Sequence, residues 1–236
     1  MRAIRGLVFD KDGTLFDFRA TWSAWTRALL LELTEGQEDP AIRIGQAIGY
    51  DLRTGDFAPD SHVIAHTPAE IADVMIPFLP DVDRSALVAR MSSLATETDL
   101  VAATELAPLF AALKGAGLSI GLATNDFEVP ARAHLDQAGV LEFFDFVSGF
   151  DSGYGAKPEP GPLLAFTAAR GLVPAEVAMV GDSVHDLVAG RAAGMRTVGV
   201  LTGIAGKDDL APYADVVLPH IGHLPEWLAT GGAASS

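Results

Sequence analysis

Apolar residues along this chain follow two rhythms. Short runs that stop abruptly at polar or small residues, namely Leu7–Phe9, Leu118–Ala123, Phe144–Ser148, Val177–Val180, Thr197–Val200 and Val216–Leu218, have the length and β-branched content of buried strands. Between them, Glu105–Ala116, Pro130–Gln137 and Pro162–Arg170 place apolar residues at helical spacing, each with proline near its start and glycine past its end. Such alternation predicts an α/β fold, a doubly wound parallel sheet, because right-handed crossovers must cover both of its faces. From Phe16 to Asp99 the strand rhythm vanishes. Arg19–Leu33 carries Trp22, Trp25, Leu29, Leu30 and Leu33 on one helical stripe, Thr67 before Pro68 opens a helix over Ala69–Leu79, and Asp83–Leu94 continues the pattern. An all-helical insertion of roughly 80 residues is too long to be a plain loop. The expected organisation is a Rossmann-like core from 1–15 and 100–230, an inserted helical domain over 16–99 and a disordered tail over 231–236.

Composition narrows the partners. Hydrophobic residues make up 49% of the 236, enough for a sizeable core, so disorder is not expected. Acidic side chains number 31 against 16 basic ones, a formal net charge of −15. A field of that sign repels nucleic acid and anionic membranes, so neither is an expected partner, and a phosphate-bearing substrate must be drawn by a local cation. The chain has no cysteine, which excludes disulfides and thiol catalysis. Met1–Arg5 leads into the first strand without an apolar stretch of signal-peptide length, and no run of membrane-spanning length follows; the expectation is a cytoplasmic protein.

The chemistry concentrates where strands end. Leu7–Phe9 runs into Asp10-Lys11-Asp12-Gly13-Thr14, which places two carboxylates at the edge of the sheet where α/β proteins bind ligands. Two acids facing one site repel unless a cation lies between them, and Mg²⁺, with its preference for oxygen ligands, relieves that repulsion. An isolated Asp-Gly turn would only cap the next segment, so other stretches must agree. They do: Leu118–Ala123 ends in Thr124-Asn125, Lys157 lies in Gly155-Ala156-Lys157-Pro158, and Val177–Val180 runs into Gly181-Asp182-Ser183-Val184-His185-Asp186.

Taken together these stretches resemble the four motifs of the haloacid dehalogenase superfamily of phosphotransferases, D-x-D-G-T, a strand-ending Ser/Thr, a Lys and G-D-x-x-x-D, in order. The resemblance implies that Asp10 is the nucleophile and forms an aspartyl-phosphate, and that Asp12 protonates the departing alkoxide and then takes a proton from water. It also assigns the metal to Asp10, the Asp12 backbone carbonyl and the Asp182 motif, and the helical insertion to a cap that selects the substrate. Thr124 and the Asn125 amide offer donors to a phosphoryl oxygen, and Lys157 neutralises the carboxylate–phosphate pair. Asp186 follows Asp182 by one helical turn and can bind metal directly, through water, or pair with a lysine; Asp182 could alternatively be the helix N-cap. The second acid, Asp12, argues against dehalogenation, and the absence of lysine between Thr14 and Asp99 argues against phosphonate hydrolysis.

The layout is nearest the phosphoglycolate phosphatase branch, which implies a Mg²⁺-dependent phosphomonoesterase acting on a small phosphorylated metabolite. A phosphomutase of the same superfamily and a phospho-accepting signalling domain are the alternatives, although the latter has no use for so large an insertion. Arg19, Arg43 and Arg53 are candidate contacts to a remote anion of the substrate, as are His62 and His66. Trp22 and Trp25 are expected in the core of the helical insertion.

Overall fold

The computed structural model describes residues 3–96 and 98–231; the expected tail lies outside them from residue 232 onward. Six parallel strands, β1 (Gly6–Phe9), β2 (Ser119–Ala123), β3 (Phe146–Ser148), β4 (Val177–Gly181), β5 (Arg196–Val200) and β6 (Val216–Leu218), form one sheet in the order β3-β2-β1-β4-β5-β6. The chain winds outward from β1 through β2 to β3 and returns to the far side of β1 for β4. That reversal opens a crevice at the carboxyl ends of β1 and β4, because the connections leaving them diverge. Register decides what meets there. Phe9 lies level with both Leu122 and Val180, so Asp10, Thr124 and Asp182 leave adjacent strands side by side.

The insertion holds α1 (Phe18–Leu33), α2 (Glu38–Ala47), the short α3 (His62–Ala65), α4 (Pro68–Met75) and α5 (Arg84–Thr96). Their apolar faces close on a cluster of their own, built around Phe18, Leu30, Ile44, Tyr50, Met75 and Met91. Thr67 caps α4 with a reciprocal bond from Glu70, and the expected continuation to Leu79 tightens into a 3-10 turn over Ile76–Phe78. Helix α2 was not among the elements expected from the sequence, and it contains Pro40 and Gly45, both poor helix formers. Pro40 sits in the first turn, where its missing N–H costs no intrahelical bond, and the Tyr50 carbonyl presses so close to Gly45 that a Cβ there would lie 2.8 Å from it. The two connections between insertion and sheet run side by side: Asp17 N donates to Val101 O at 2.7 Å and Ala103 N to Leu15 O at 2.9 Å.

Over the sheet lie α6 (Leu106–Gly115), α7 (Glu128–Gln137), α8 (Gly161–Arg170), α9 (Val184–Ala193), the short α10 (Lys207–Leu210) and α11 (Leu224–Ala229). Side-chain alternation along β1 assigns them to faces. Leu7 and Phe9 pack with Phe110, Leu135 and Trp227 of α6, α7 and α11, whereas Val8 packs with Phe166 and Ala189 of α8 and α9.

Candidate active site

The loop after β1 turns on itself at once. The Lys11 carbonyl accepts from Leu15 N at 2.9 Å, and Gly13 adopts φ +82°, a conformation that disfavours any side chain. A Cβ on Gly13 would also lie 2.2 Å from the Asp182 carboxylate, so the glycine serves both the turn and the close approach of the two loops. Asp10 emerges buried, with Lys157 Nζ donating to its Oδ1 and, at 2.7 Å, to Oδ1 of Asp186. Asn125 at the end of β2 holds that lysine in place: its Nδ2 donates to the Lys157 carbonyl and its Oδ1 accepts from the Lys157 N–H, both at 2.9 Å. The Asn125 side chain thus positions Lys157, while the group expected to meet substrate was its amide. Thr124 is buried beside it, its Oγ1 accepting from Asp126 N at 3.1 Å and keeping its own proton to donate.

Asp10, Asp182 and Asp186 each bring a carboxylate oxygen within 4.8 Å of the others, all three buried. With Lys157 the ammonium bonded to them among the described residues, the three carboxylates when ionised would carry two uncompensated negative charges. Burial pushes the Asp10 carboxyl up from 3.8 to about 7, against the pull of Lys157, and burial together with Asp10 and Asp186 raises Asp182 well above the carboxylate range. A cluster of hard oxygen donors with a twofold charge excess can bind a divalent cation. The Asp12 side chain is not in this cluster, which corrects the picture of Asp10 and Asp12 sharing one cation.

Helix α9 corrects a second expectation. Its N-cap is Ser183, whose hydroxyl accepts from Asp186 N, while Asp186 Oδ2 takes the Ser183 N–H at 3.0 Å and hydroxyl at 2.7 Å. Among the described residues Asp182 takes no part in capping α9 and accepts from Thr14 Oγ1 at 3.1 Å. Asp186 has one oxygen on Lys157 and the other on the capping box.

Asp12 has a different cation. Lys11 is fully buried, and its three N–H groups meet Asp12 Oδ2 at 3.0 Å, Asp126 Oδ2 at 3.0 Å and His134 Nδ1 at 2.9 Å. Burial pulls this ammonium down, but Asp12 and Asp126 outweigh it and hold it at about 12. His134 must then accept at Nδ1 and donate from Nε2 to the Ala95 carbonyl of α5, 2.8 Å away. Trp22 Nε1 donates to Asp12 Oδ1 at 2.9 Å, so both carboxylate oxygens are held. Lys11, Asp126 and His134 were missed from sequence. The available signal was strand alternation, which puts Lys11 on the same face as Leu7 and Phe9, beneath α7.

Above the acids a cavity of about 80 Å³ separates the sheet edge from the insertion. Asp10, Asp12, Thr124, Asn125, Lys157 and Asp186 line its floor; Phe18, Trp22, Trp25, Val63, Ile71 and Met91 are prominent in its roof. As expected, Trp22 belongs to the apolar core of the insertion with Trp25 packed against it; both also line the cavity and meet edge to face at 5.2 Å. His66 and His185 also line it, with His62 stacked behind His66 at 4.9 Å. The three arginines do not. Arg19 pairs with Asp56 on the surface, half exposed, and Arg43 and Arg53 are exposed. Long flexible cations escape burial unless paired, and the surface offered these a place in water.

A sheet wound in this way around strand-end acids is that of a doubly wound α/β protein with its site at the carboxyl edge, and comparison gives the class. The haloacid dehalogenase-like hydrolase family model matches residues 4–194, and the chain belongs to that family. It is 30% identical over 215 residues to the pyrophosphatase PpaX of Bacillus velezensis, covering 90% of each chain. It is likewise 30% identical over 221 residues to a phosphoglycolate phosphatase of Xanthomonas campestris, covering 92% of this chain and 93% of the other. Among solved structures, a predicted phosphoglycolate phosphatase from Haemophilus somnus superposes with a TM-score of 0.71 at 17% identity over 96% of this chain and 98% of the other, a likeness of fold.

Proposed function

We propose that this hydrolase is a Mg²⁺-dependent phosphomonoesterase that works through an aspartyl-phosphate on Asp10. The observation that carries the reading is the Asp10 carboxylate itself, buried at the floor of the cavity between Lys157 and two further acids whose excess charge a divalent cation balances. Asp10 and Asp182 would hold that cation, with the Asp12 carbonyl as the family resemblance has it. Bound there, the ion supplies positive charge for the phosphoryl oxygens and neutralises the acids that would repel a dianion.

The chain's own groups then divide the work. An Asp10 oxygen attacks phosphorus in line as the bond to the leaving oxygen breaks, while Lys157 and the Thr124 hydroxyl meet the charge on the equatorial oxygens. Asp12, aimed by Trp22 and Lys11, gives its proton to the leaving alkoxide. In the second half it takes a proton from water, whose oxygen attacks phosphorus and frees Asp10 and inorganic phosphate. Relatives named for phosphatase and pyrophosphatase activity support hydrolysis over return of the phosphoryl group to a sugar.

Substitution separates the two carboxylates. Asp12→Asn is expected to be nearly inert toward an alkyl phosphate, yet to release about one equivalent of nitrophenol per site from p-nitrophenyl phosphate and stall as phosphoenzyme. Asp10→Asn should give no burst with either ester. Rapid-quench mass measurement reads both. Steady turnover by Asp12→Asn at the unsubstituted rate with no phosphoenzyme would falsify the division of labour.

A further inference from the structure

The floor of the cavity is charged, and its roof is neither charged nor fully satisfied. Among the described residues, no arginine lines the cavity and the lining lysine is Lys157, already committed to Asp10 and Asp186. Lys11 lies beneath the floor with all three protons donated. A carboxylate or second phosphate on the substrate would therefore leave water without a cationic partner in the roof, in a protein of net charge −15 and next to three acids. The imidazoles are poor substitutes. His66 lies 5.8 Å from His185 and 4.9 Å from His62, ring to ring, an array in which charge on one ring opposes charge on the next.

The unpaired polar atoms say what the roof lacks. Three buried side-chain nitrogen or oxygen atoms among the described residues have no hydrogen-bond partner, and two of them, Trp25 Nε1 and His66 Nδ1, belong to residues that line this cavity. An indole N–H can only donate, so its missing partner is an acceptor. Buried donors are rarely left orphaned, because their desolvation is then uncompensated.

We propose, on the phosphomonoesterase reading above, that the substrate's leaving alcohol has an apolar, ring-sized body bearing an uncharged hydrogen-bond acceptor, and carries no second anion. The ring packs among Phe18, Trp22, Ile71 and Met91, and a carbonyl or ether oxygen takes the Trp25 N–H. This class differs from the carboxylate-bearing phosphoglycolate for which several relatives are named.

The test is a comparison of kcat/KM with Mg²⁺ across two matched pairs: benzyl against ethyl phosphate, and the carboxamide of 2-phosphoglycolate against 2-phosphoglycolate itself. The first member of each pair is expected to win by at least about tenfold, since burying a ring is worth that much or more and the amide removes the unpaired charge. Trp25→Phe keeps the ring but deletes the donor, and should narrow the advantage of 4-acetylbenzyl phosphate over benzyl phosphate to below about twofold. Phosphoglycolate turning over best, or benzyl phosphate no faster than ethyl while p-nitrophenyl phosphate is hydrolysed, overturns the substrate class alone. Failure of every ester, p-nitrophenyl phosphate included, overturns the phosphomonoesterase reading and this proposal with it.

Discussion

The floor and the roof of one cavity are built on opposite principles. The floor sets Asp10, Lys157 and Asp186, all buried, on the end of β1, the loop before α8 and the first turn of α9, with Asp182 beside them after β4. The roof, from α1, α3, α4 and α5, presents mostly hydrocarbon and aromatic rings. Strands hold charge in fixed geometry because each is bonded to two neighbours. Helices joined to the sheet by two adjacent connections can offer shape and hydrophobicity without that rigidity. The difference teaches that reaction and selection are separable here: substitutions below should change rate with every ester, and substitutions above should change the ranking of esters.

The largest expected effect is at Lys157. Lys157→Met leaves the acids and the phosphoryl dianion uncompensated, so kcat should fall on the order of a thousandfold with all esters alike, measured by phosphate release. A loss confined to one ester would dissolve the distinction between floor and roof. Lys11→Met frees Asp12 and Asp126 without touching the Asp10 cluster. It should lower kcat by about tenfold to a hundredfold, as misaligned groups do, while the aspartyl-phosphate burst from p-nitrophenyl phosphate persists in quench experiments. His134→Phe, which removes the acceptor behind Lys11 and the bond to Ala95 of α5, should show a smaller loss of the same kind.

Stability gives a test independent of turnover. Burial raises the Asp10 carboxyl to about 7 from 3.8, so between those values the native state binds the proton more tightly than the unfolded chain does. Stability of the metal-free protein should therefore fall as pH rises from about 4 to about 7, by roughly 5 °C or more in melting temperature. Saturating Mg²⁺ should restore several degrees at pH 7.5 and less at pH 5, where protons compete for the same oxygens. Asp10→Asn, neutral throughout, should flatten the slope in calorimetry. A metal-free melting temperature that does not decline over this range contradicts an uncompensated floor.

The smallest effects are expected at Arg19, Arg43 and Arg53. Alanine at each should leave kcat/KM within about twofold for every ester, and the exposed Arg19–Asp56 pair contributes about 1 kcal/mol or less. Selective loss on one ester would show that the roof reaches further than its lining and would sharpen the comparison into one of cap movement.

Much of this was written locally. Leu7–Phe9 and Val177–Val180 declare themselves as strands because buried parallel strands need unbroken apolar runs, and the acids that follow mark where those runs meet water. The order of elements, the helical insertion and the residues Asp10, Thr124, Lys157 and Asp182 follow from such short stretches. What neighbours in space decide was not legible. Lys11 and Lys157 look alike in the chain, yet Lys11 follows Leu7 and Phe9 onto the face beneath α7 and pairs with Asp12, while Lys157, held by Asn125 in the loop before α8, pairs with Asp10 and Asp186. Ser183 rather than Asp182 caps α9, since Asp182 is drawn instead to Thr14 in the loop beyond β1. The arginines point outward and the tryptophans inward because the seating of the insertion over the sheet sums many weak apolar contacts between residues far apart in sequence, and no local pattern encodes that sum.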